Sequence, residues 1–508
     1  MVSFSFVNYH NGNDGRFMKK LKGKRELGLF QAVMIGLGGA IGIEIFVLLN
    51  YATFLAGSTI VFALLVCGII NLLTMLSFSE LGAAIPEVGG EYSYAKAALG
   101  GFLAFLTGWL RWISNAFGAA LAALGFAYNI LYFVPVDIPL LTPLIASIII
   151  VVLTVLSIRG IRQIGPMIVI AFIAFFIILI VGGSLHGLEF QFSYPSTLDG
   201  VSNVFATTTY TFIMFLGMRA IAAGGSEIKH PGKNIPRAII ISAVVLIVLY
   251  CSIAYVTVSV LPLDEITKSH IPLTLAAQQI FGETGAIILT IAAIVAALSS
   301  LSTAIMVQSS IIRALSRDGY MPKFFLSTHR RFKTPHISII FGSIFYILFA
   351  ATGVVEFIGY VAGFASILGF ALVNLSLIRL RLKMPHLKRP FKVPLYPYVP
   401  VTGILISILL LFFIEPSALS LGLAFIILGL LTYHLRMVGY NRIRIAFGGM
   451  NLGVGGFVAL LAYLLRTGYP LPISIPPHLS TIIFYVLIVI CAINILAGVL
   501  NIIMKPKR

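Results

Sequence analysis

Apolar residues in this chain neither alternate with polar ones nor keep to one stripe at helical spacing. They run on for about twenty residues at a time, the length that crosses a bilayer as a helix, and short polar connections separate the runs. In lipid the backbone must satisfy its own polar groups, which leaves helices or a closed barrel. The ten-residue alternating segments of a barrel are absent. The pattern therefore predicts an all-α integral membrane protein of about fourteen transmembrane helices. Their windows, spans 1 to 14, are 30–55, 59–84, 101–133, 141–159, 165–185, 202–226, 238–262, 285–315, 337–353, 355–380, 399–415, 418–436, 448–466 and 481–504.

Composition agrees. Of 508 residues, 59% are hydrophobic and 10% charged, against about 25% charged in an ordinary soluble domain. The net charge of +18 is not gathered into one basic stripe, so no nucleic-acid partner is expected; the lipid bilayer is the partner. With the N-terminus inside, cytoplasmic segments hold 30 of the 34 Lys and Arg. The outer loops hold only Lys268 and Arg466, and Arg111 and Arg219 lie within helices. That asymmetry places both termini in the cytoplasm of a multi-pass plasma-membrane protein. The polar first 25 residues end in Lys19, Lys20, Lys22, Lys24 and Arg25 and lack the order of a cleaved signal peptide. Cys67, Cys251 and Cys491 all fall in apolar runs and do not suggest a disulfide framework or a metal site.

Two spans are unusual. Span 1 contains Gly36-Leu37-Gly38-Gly39-Ala40-Ile41-Gly42, and span 6 contains Gly217 and Gly224-Gly225. Each glycine weakens a helix by about 1 kcal/mol relative to alanine. Such clusters fit either interrupted helices or close helix packing through small residues. Their positions, first and sixth, correspond in two five-helix halves, and that favours an inverted-repeat transporter with a midplane site.

Ionisable groups inside a bilayer need a partner or a task. Here they are Glu44 in span 1, Arg111 in span 3 and Arg219 in span 6, with Glu80 near the cytoplasmic end of span 2. Glu44 and Arg219 sit at the two glycine breaks. At about 4 Å such a pair attracts by about 4 kcal/mol at an effective dielectric of 20, so pairing is expected, as a fixed salt bridge or as contacts that substrate or proton competes for. Arg111, between Trp109 and Trp112, reads first as a side chain reaching the inner interface, with a role in transport as the second reading. All nine histidines fall in tails, loops or helix ends, which removes a haem site, a histidine proton relay and a zinc-protease motif. No cofactor, metal or catalytic residue is expected, and the chain does not read as an enzyme.

Five segments carry a family resemblance. Span 1 reads Gly39-Ala40-Ile41-Gly42-Ile43-Glu44-Ile45-Phe46; the connection to span 3 reads Glu80-Leu81-Gly82, then Ile85-Pro86-Glu87-Val88-Gly89-Gly90-Glu91-Tyr92-Ser93-Tyr94. After span 6 comes Ser226-Glu227-Ile228-Lys229-His230-Pro231-Gly232-Lys233-Asn234-Ile235-Pro236-Arg237-Ala238. Span 8 ends in Arg317-Asp318-Gly319-Tyr320-Met321-Pro322-Lys323-Phe324, and Arg389-Pro390-Phe391-Lys392-Val393-Pro394 follows span 10. In this order the motifs resemble the amino acid–polyamine–organocation superfamily over about residues 25–435. The resemblance implies a five-plus-five inverted repeat like that of the leucine transporter: a tail over 1–29, repeats over 30–200 and 201–398, and further helices over 399–508. It implies secondary active transport of an amino acid or organic amine, or an amino acid–polyamine exchange. A sensor on the same scaffold, binding without flux, is the alternative.

The resemblance places the small-molecule substrate between the two breaks. Backbone N–H groups of Gly38, Gly39, Ala40, Ile41, Gly42, Ile43 and Glu44 would face its carboxylate. Carbonyls around Gly217 and Arg219 would face its amine, with Phe212 or Phe215 as an aromatic lid, unless these are ordinary core phenylalanines. The chain departs from the family in three places. Glu44 stands where the family has glycine, and Gly217-Met218-Arg219 where it often has a glutamate. Phe175 stands where some proton-coupled relatives carry a lysine. Ser299 and Ser302, beside Ser300 and Thr303, are hydroxyls of the kind that ligate sodium; packing is the other reading. The coupling ion, proton or sodium, is left open.

Overall fold

The structure is a computed structural model, and it describes residues 26–85, 89–134, 140–160, 167–185, 197–225 and 227–437, with parts of 451–496. The basic tail, Pro86-Glu87-Val88, Ser226, the C-terminal basic residues and much of spans 13 and 14 lie outside the described residues. Among those described there is no β-strand, and eight helices are long and apolar enough to cross a membrane. Shorter apolar helices include the first half of the broken span 1 and spans 5, 9 and 11, while the second half of span 1 runs with span 2 as one of the eight, Glu44–Ala84.

Span 1 is two helices. α1 runs Leu29–Ala40 and α2 runs Glu44–Ala56. Ile41 leaves the helical region at φ −76°, ψ 84°. Span 2 is α3 (Ile60–Ala84). A short helix that the hydropathy windows miss, α4 (Glu91–Ala98), then starts behind Gly90; its composition is too polar to read as a span. Spans 3, 4 and 5 are α5 (Gly101–Leu131), α6 (Leu141–Ile158) and α7 (Met167–Leu185).

Span 6 is α8 (Leu198–Thr211), a 3₁₀ segment (Phe212–Met218) and α9 (Arg219–Ala223). A mid-helix 3₁₀ stretch often marks a hinge or a functional interruption. Span 7 is α10 (Pro231–Val260), which starts well before its window. Lys233, Asn234, Pro236 and Arg237 look like loop, yet Pro231 fits the first helical turn, where its missing N–H costs nothing. After α11 (Leu263–Lys268), span 8 lies in α12 (Pro272–Arg317), broken at Gly282, whose φ of 69° suits glycine. Spans 9 to 12 are α13 (His336–Ala350), α14 (Val355–Lys383), α15 (Tyr398–Leu411) and α16 (Pro416–Met437).

α5 is the central post: it packs along α12 on one side and α14 on another, while α10 lies along α3. The chain entering α1 is tied to the motif after span 6, since Leu27 N–H donates to the Glu227 carbonyl (3.1 Å) and Lys229 N–H to that of Leu27 (2.8 Å). The apolar core runs through all these helices. Ile148, Ile178, Val248 and Leu405, among other exposed side chains, form the lipid-facing surface expected of a bilayer protein.

Candidate functional site

The two breaks meet. A Cβ on Gly217 would stand 2.0 Å from the Ala40 nitrogen and 2.0 Å from the Gly39 carbonyl carbon. Backbone therefore crosses backbone there, and no side chain fits between. This is a second role for the glycine, besides weakening the helix. Tyr250 of α10, fully buried, secures the crossing: its hydroxyl donates to the Ala40 carbonyl at 2.6 Å, with the Met214 carbonyl at 3.4 Å. Ala40 ends α1, so this bond satisfies a carbonyl with no intrahelical partner.

Beside the crossing lies a cavity of about 130 Å³. Span 1 contributes Gly38, Gly39 and Glu44, and span 6 contributes Ile213, Leu216, Gly217, Arg219 and Ala220. Span 3 adds Arg111, Ser114, Asn115, Gly118 and Ala119, and span 8 adds Ser300, Thr303, Ala304 and Val307. Arg111, Ser114, Asn115 and Gly118 follow the spacing i, i+3, i+4, i+7, as do Ser300, Thr303, Ala304 and Val307, so each set is one helix face. That polar or small stripe in an apolar helix was the signal available in the sequence for this wall.

The charges are arranged differently from the expectation. Arg219 does not pair with Glu44. Its Nη1 lies 3.3 Å from Oε1 of Glu91 at the start of α4, and Arg111 Nη1 lies 3.8 Å from the same oxygen. The connection between spans 2 and 3 folds back under the site and supplies the carboxylate, a long-range contact that spacing cannot reveal. Arg111 is also not an interfacial arginine. Trp109 and Trp112 are three apart and share a face; Trp109 donates to the Phe425 carbonyl (2.8 Å) and Trp112 packs on Phe345. Arg111 is rotated away from both, into the cavity.

Glu44 begins α2, where a helix N-terminus favours an anion. Its Oε2 is buried and has no hydrogen-bond partner among the described residues. That oxygen and Ser300 Oγ both lie within 2.5 Å of the point where a Cβ on Gly42 would stand, so acid and hydroxyl are neighbours. Asn115 Nδ2 donates to the Ala304 carbonyl (2.9 Å) and lies 3.0 Å from the Tyr346 hydroxyl, and Thr303 donates to the Ser299 carbonyl (2.9 Å).

The remaining expected site residues stand around this wall. Ala40, Ile41, Gly42 and Ile43 form the break itself, with Ile43 packed against Gly125. Phe212 and Phe215 do not line the cavity. Phe212 packs against Phe370 and Phe215 against Tyr250, and both are buried in the core. The 3₁₀ turn of three residues explains this: Ile213 and Leu216 share the cavity face, while Phe212, Phe215 and Met218 share another. Ser299 and Ser302 are half-buried outside the lining, one residue out of phase with Ser300 and Thr303.

The family profile described as "Amino acid permease" matches residues 27–434. The chain belongs to the amino acid permease family. This permease is 26% identical over 441 residues to a branched-chain amino acid permease of Bacillus subtilis, covering 83% of this chain and 95% of that one. It is 26% identical over 401 residues to a methylthioribose transporter of the same organism, covering 74% and 86% of the two chains. It is 27% identical over 456 residues to the human cystine/glutamate transporter, covering 84% and 88%. The superfamily resemblance carried by the five motifs is thereby upheld. The permease is a multi-pass membrane transporter, and its family and relatives bear the names of transporters rather than enzymes.

Proposed function

We propose that this permease is a secondary active transporter of an amino acid or related organic amine in the plasma membrane, with both termini cytoplasmic. On this reading spans 1–5 and 6–10 form inverted repeats, four further spans bring the total to fourteen, and the two repeats rock about the cavity to give alternating access. The observation that carries the reading is the backbone contact of Gly39 with Gly217. It joins two interrupted helices beside a cavity that holds both a carboxylate and guanidinium groups. Interrupted helices expose N–H groups and carbonyls that unbroken spans keep occupied.

The names of the relatives support the substrate class: one is a branched-chain amino acid permease and another a cystine/glutamate transporter. The charged lining favours an ionised substrate, since buried charges are costly without a counter-charge. A proton, sodium or a second substrate molecule would drive transport. The hydroxyls of Ser300 and Thr303, rather than those of Ser299 and Ser302, face the cavity where a coupling ion would meet the substrate.

Counterflow in liposomes tests this without knowing the ion. Vesicles holding the purified permease are preloaded with one unlabelled amino acid or polyamine and given a labelled trace of the same compound. Saturable accumulation that Arg219→Ala removes supports the transporter. Ligand-dependent thermal stabilisation without any flux would support the sensor reading instead.

A further inference from the structure

We propose that the cavity holds its amino acid as a zwitterion bridging two poles, with the ammonium on Glu44 and the carboxylate on Arg111 and Arg219. This inference rests on the transporter reading above and specifies the substrate's charge and its orientation. It reverses the arrangement that the family resemblance implies, in which the break in span 1 receives the carboxylate.

Three observations carry it. At the span 1 pole, Glu44 occupies the N-terminus of α2, where backbone N–H groups would otherwise meet a substrate anion. A second carboxylate there is repelled, whereas an ammonium is attracted, and Glu44 Oε2 lacks any partner among the described residues. At the opposite pole, two guanidinium groups share one oxygen of Glu91, at 3.3 and 3.8 Å. Arg111 Nη1 makes no hydrogen bond, although it is buried at the cavity wall. Each guanidinium has five donors in a fixed fork that fits a carboxylate, so this pole is short of acceptors. Finally, the two unsatisfied poles carry opposite charge and line one cavity, so a single ligand with both charges satisfies both.

The hydroxyl of Ser300 stands next to the Glu44 carboxylate and can accept a hydrogen bond from the same ammonium. Asn115 and Ser114 border the Arg111 pole on the same helix face. Neither pole alone would select an amino acid over a simple amine or a simple acid; together they require both groups.

The test measures ligand-dependent melting of the purified permease with the twenty proteinogenic amino acids, then with the decarboxylated and deaminated analogues of the amino acid giving the largest shift. Wild type is expected to bind that amino acid and to bind either analogue at least about a hundredfold more weakly, as expected for loss of a charged partner. Glu44→Gln, which keeps the shape and removes the charge, should weaken the amino acid by about a hundredfold, and Arg111→Gln by about tenfold or more. The opposite orientation gives opposite signs: each variant would then bind equally well or more tightly, because each removes a repelling neighbour. Either variant behaving so overturns the proposal, and the two substitutions are independent should one fail to fold. If counterflow and binding persist while Glu44→Gln has no effect, the reversed orientation falls and the transporter stands. If wild type binds no amino acid and shows no counterflow, both fall together.

Discussion

Two buried charge clusters in this molecule use the same chemistry and end in different states. Near the C-terminal end of α3, Glu80 is 1% exposed and fully provided for. Arg381 grips it with two bonds, Nε at 2.9 Å and Nη2 at 2.5 Å, and the Val393 N–H donates to it at 2.7 Å. Arg389 approaches Glu80 at 3.4 Å and spends its other donors on the carbonyls of Leu380, Met384, Pro385 and Leu387. At the cavity, one oxygen of Glu91 serves two arginines and Glu44 Oε2 serves no one. A carboxylate with both oxygens hydrogen-bonded fixes the segment after α14 against α3, although Arg389 Nε makes no hydrogen bond of its own. An open cluster holds its unsatisfied groups ready for a ligand. Saturation of the carboxylate, more than burial or charge, separates the structural cluster from the binding one.

Substitutions can break this comparison. The largest effect is expected at Glu80. Glu80→Gln leaves the buried Arg389 and the half-buried Arg381 guanidinium groups without their counter-charge, which costs about 3 kcal/mol. Its melting temperature should fall sharply, with binding intact in whatever protein stays folded. The same substitution at Glu44 should leave unliganded melting unchanged to within about 1 kcal/mol, since Oε2 has no hydrogen-bond partner to lose, while ligand binding weakens by about a hundredfold. If the two glutamates respond alike, the contrast drawn between them is wrong.

Gly217→Ala comes next. The new methyl would stand 2.0 Å from span 1 backbone, and overpacking of this kind costs about 1–3 kcal/mol. Counterflow should be abolished even where the protein still reaches the membrane, because the two breaks are forced apart. Tyr250→Phe removes the side-chain donor to the Ala40 carbonyl, which keeps only the Gly42 N–H at 2.9 Å, and should cost about 1 kcal/mol, read as a lower melting temperature with a weaker substrate response. The smallest effect is expected for Phe212→Leu and Phe215→Leu, which trade one core hydrophobe for another. Each should cost about 1.5 kcal/mol or less in stability and leave the apparent KM unchanged. A raised KM for either would restore the aromatic lid that the 3₁₀ phase removes.

Much of the fold was legible in the sequence, because hydropathy and glycine content act locally. The breaks near Gly38–Gly42 and Gly217 were readable, since clustered glycines weaken a helix wherever they occur. α4 was not, for it is short and polar and owes its place to the helices around it. Within the site, what failed was phase and distance. Ser299 and Ser302 were preferred to Ser300 and Thr303 because composition gives no rotation for a helix that is apolar nearly all round. The spacing shared by Arg111, Ser114, Asn115 and Gly118 would have fixed that rotation for span 3. Glu91 could not be assigned as the partner of Arg219 from spacing, since it is 128 positions away in the chain.

The most direct measurement of the central claim is substrate protection of Thr303→Cys, placed at the cavity wall in a background lacking Cys67, Cys251 and Cys491. A membrane-permeant thiol reagent should label it, and the amino acid carried in counterflow should slow that labelling by about tenfold when present at ten times its Kd. Labelling that proceeds at the same rate while the variant continues to transport would put the substrate path elsewhere and contradict the account.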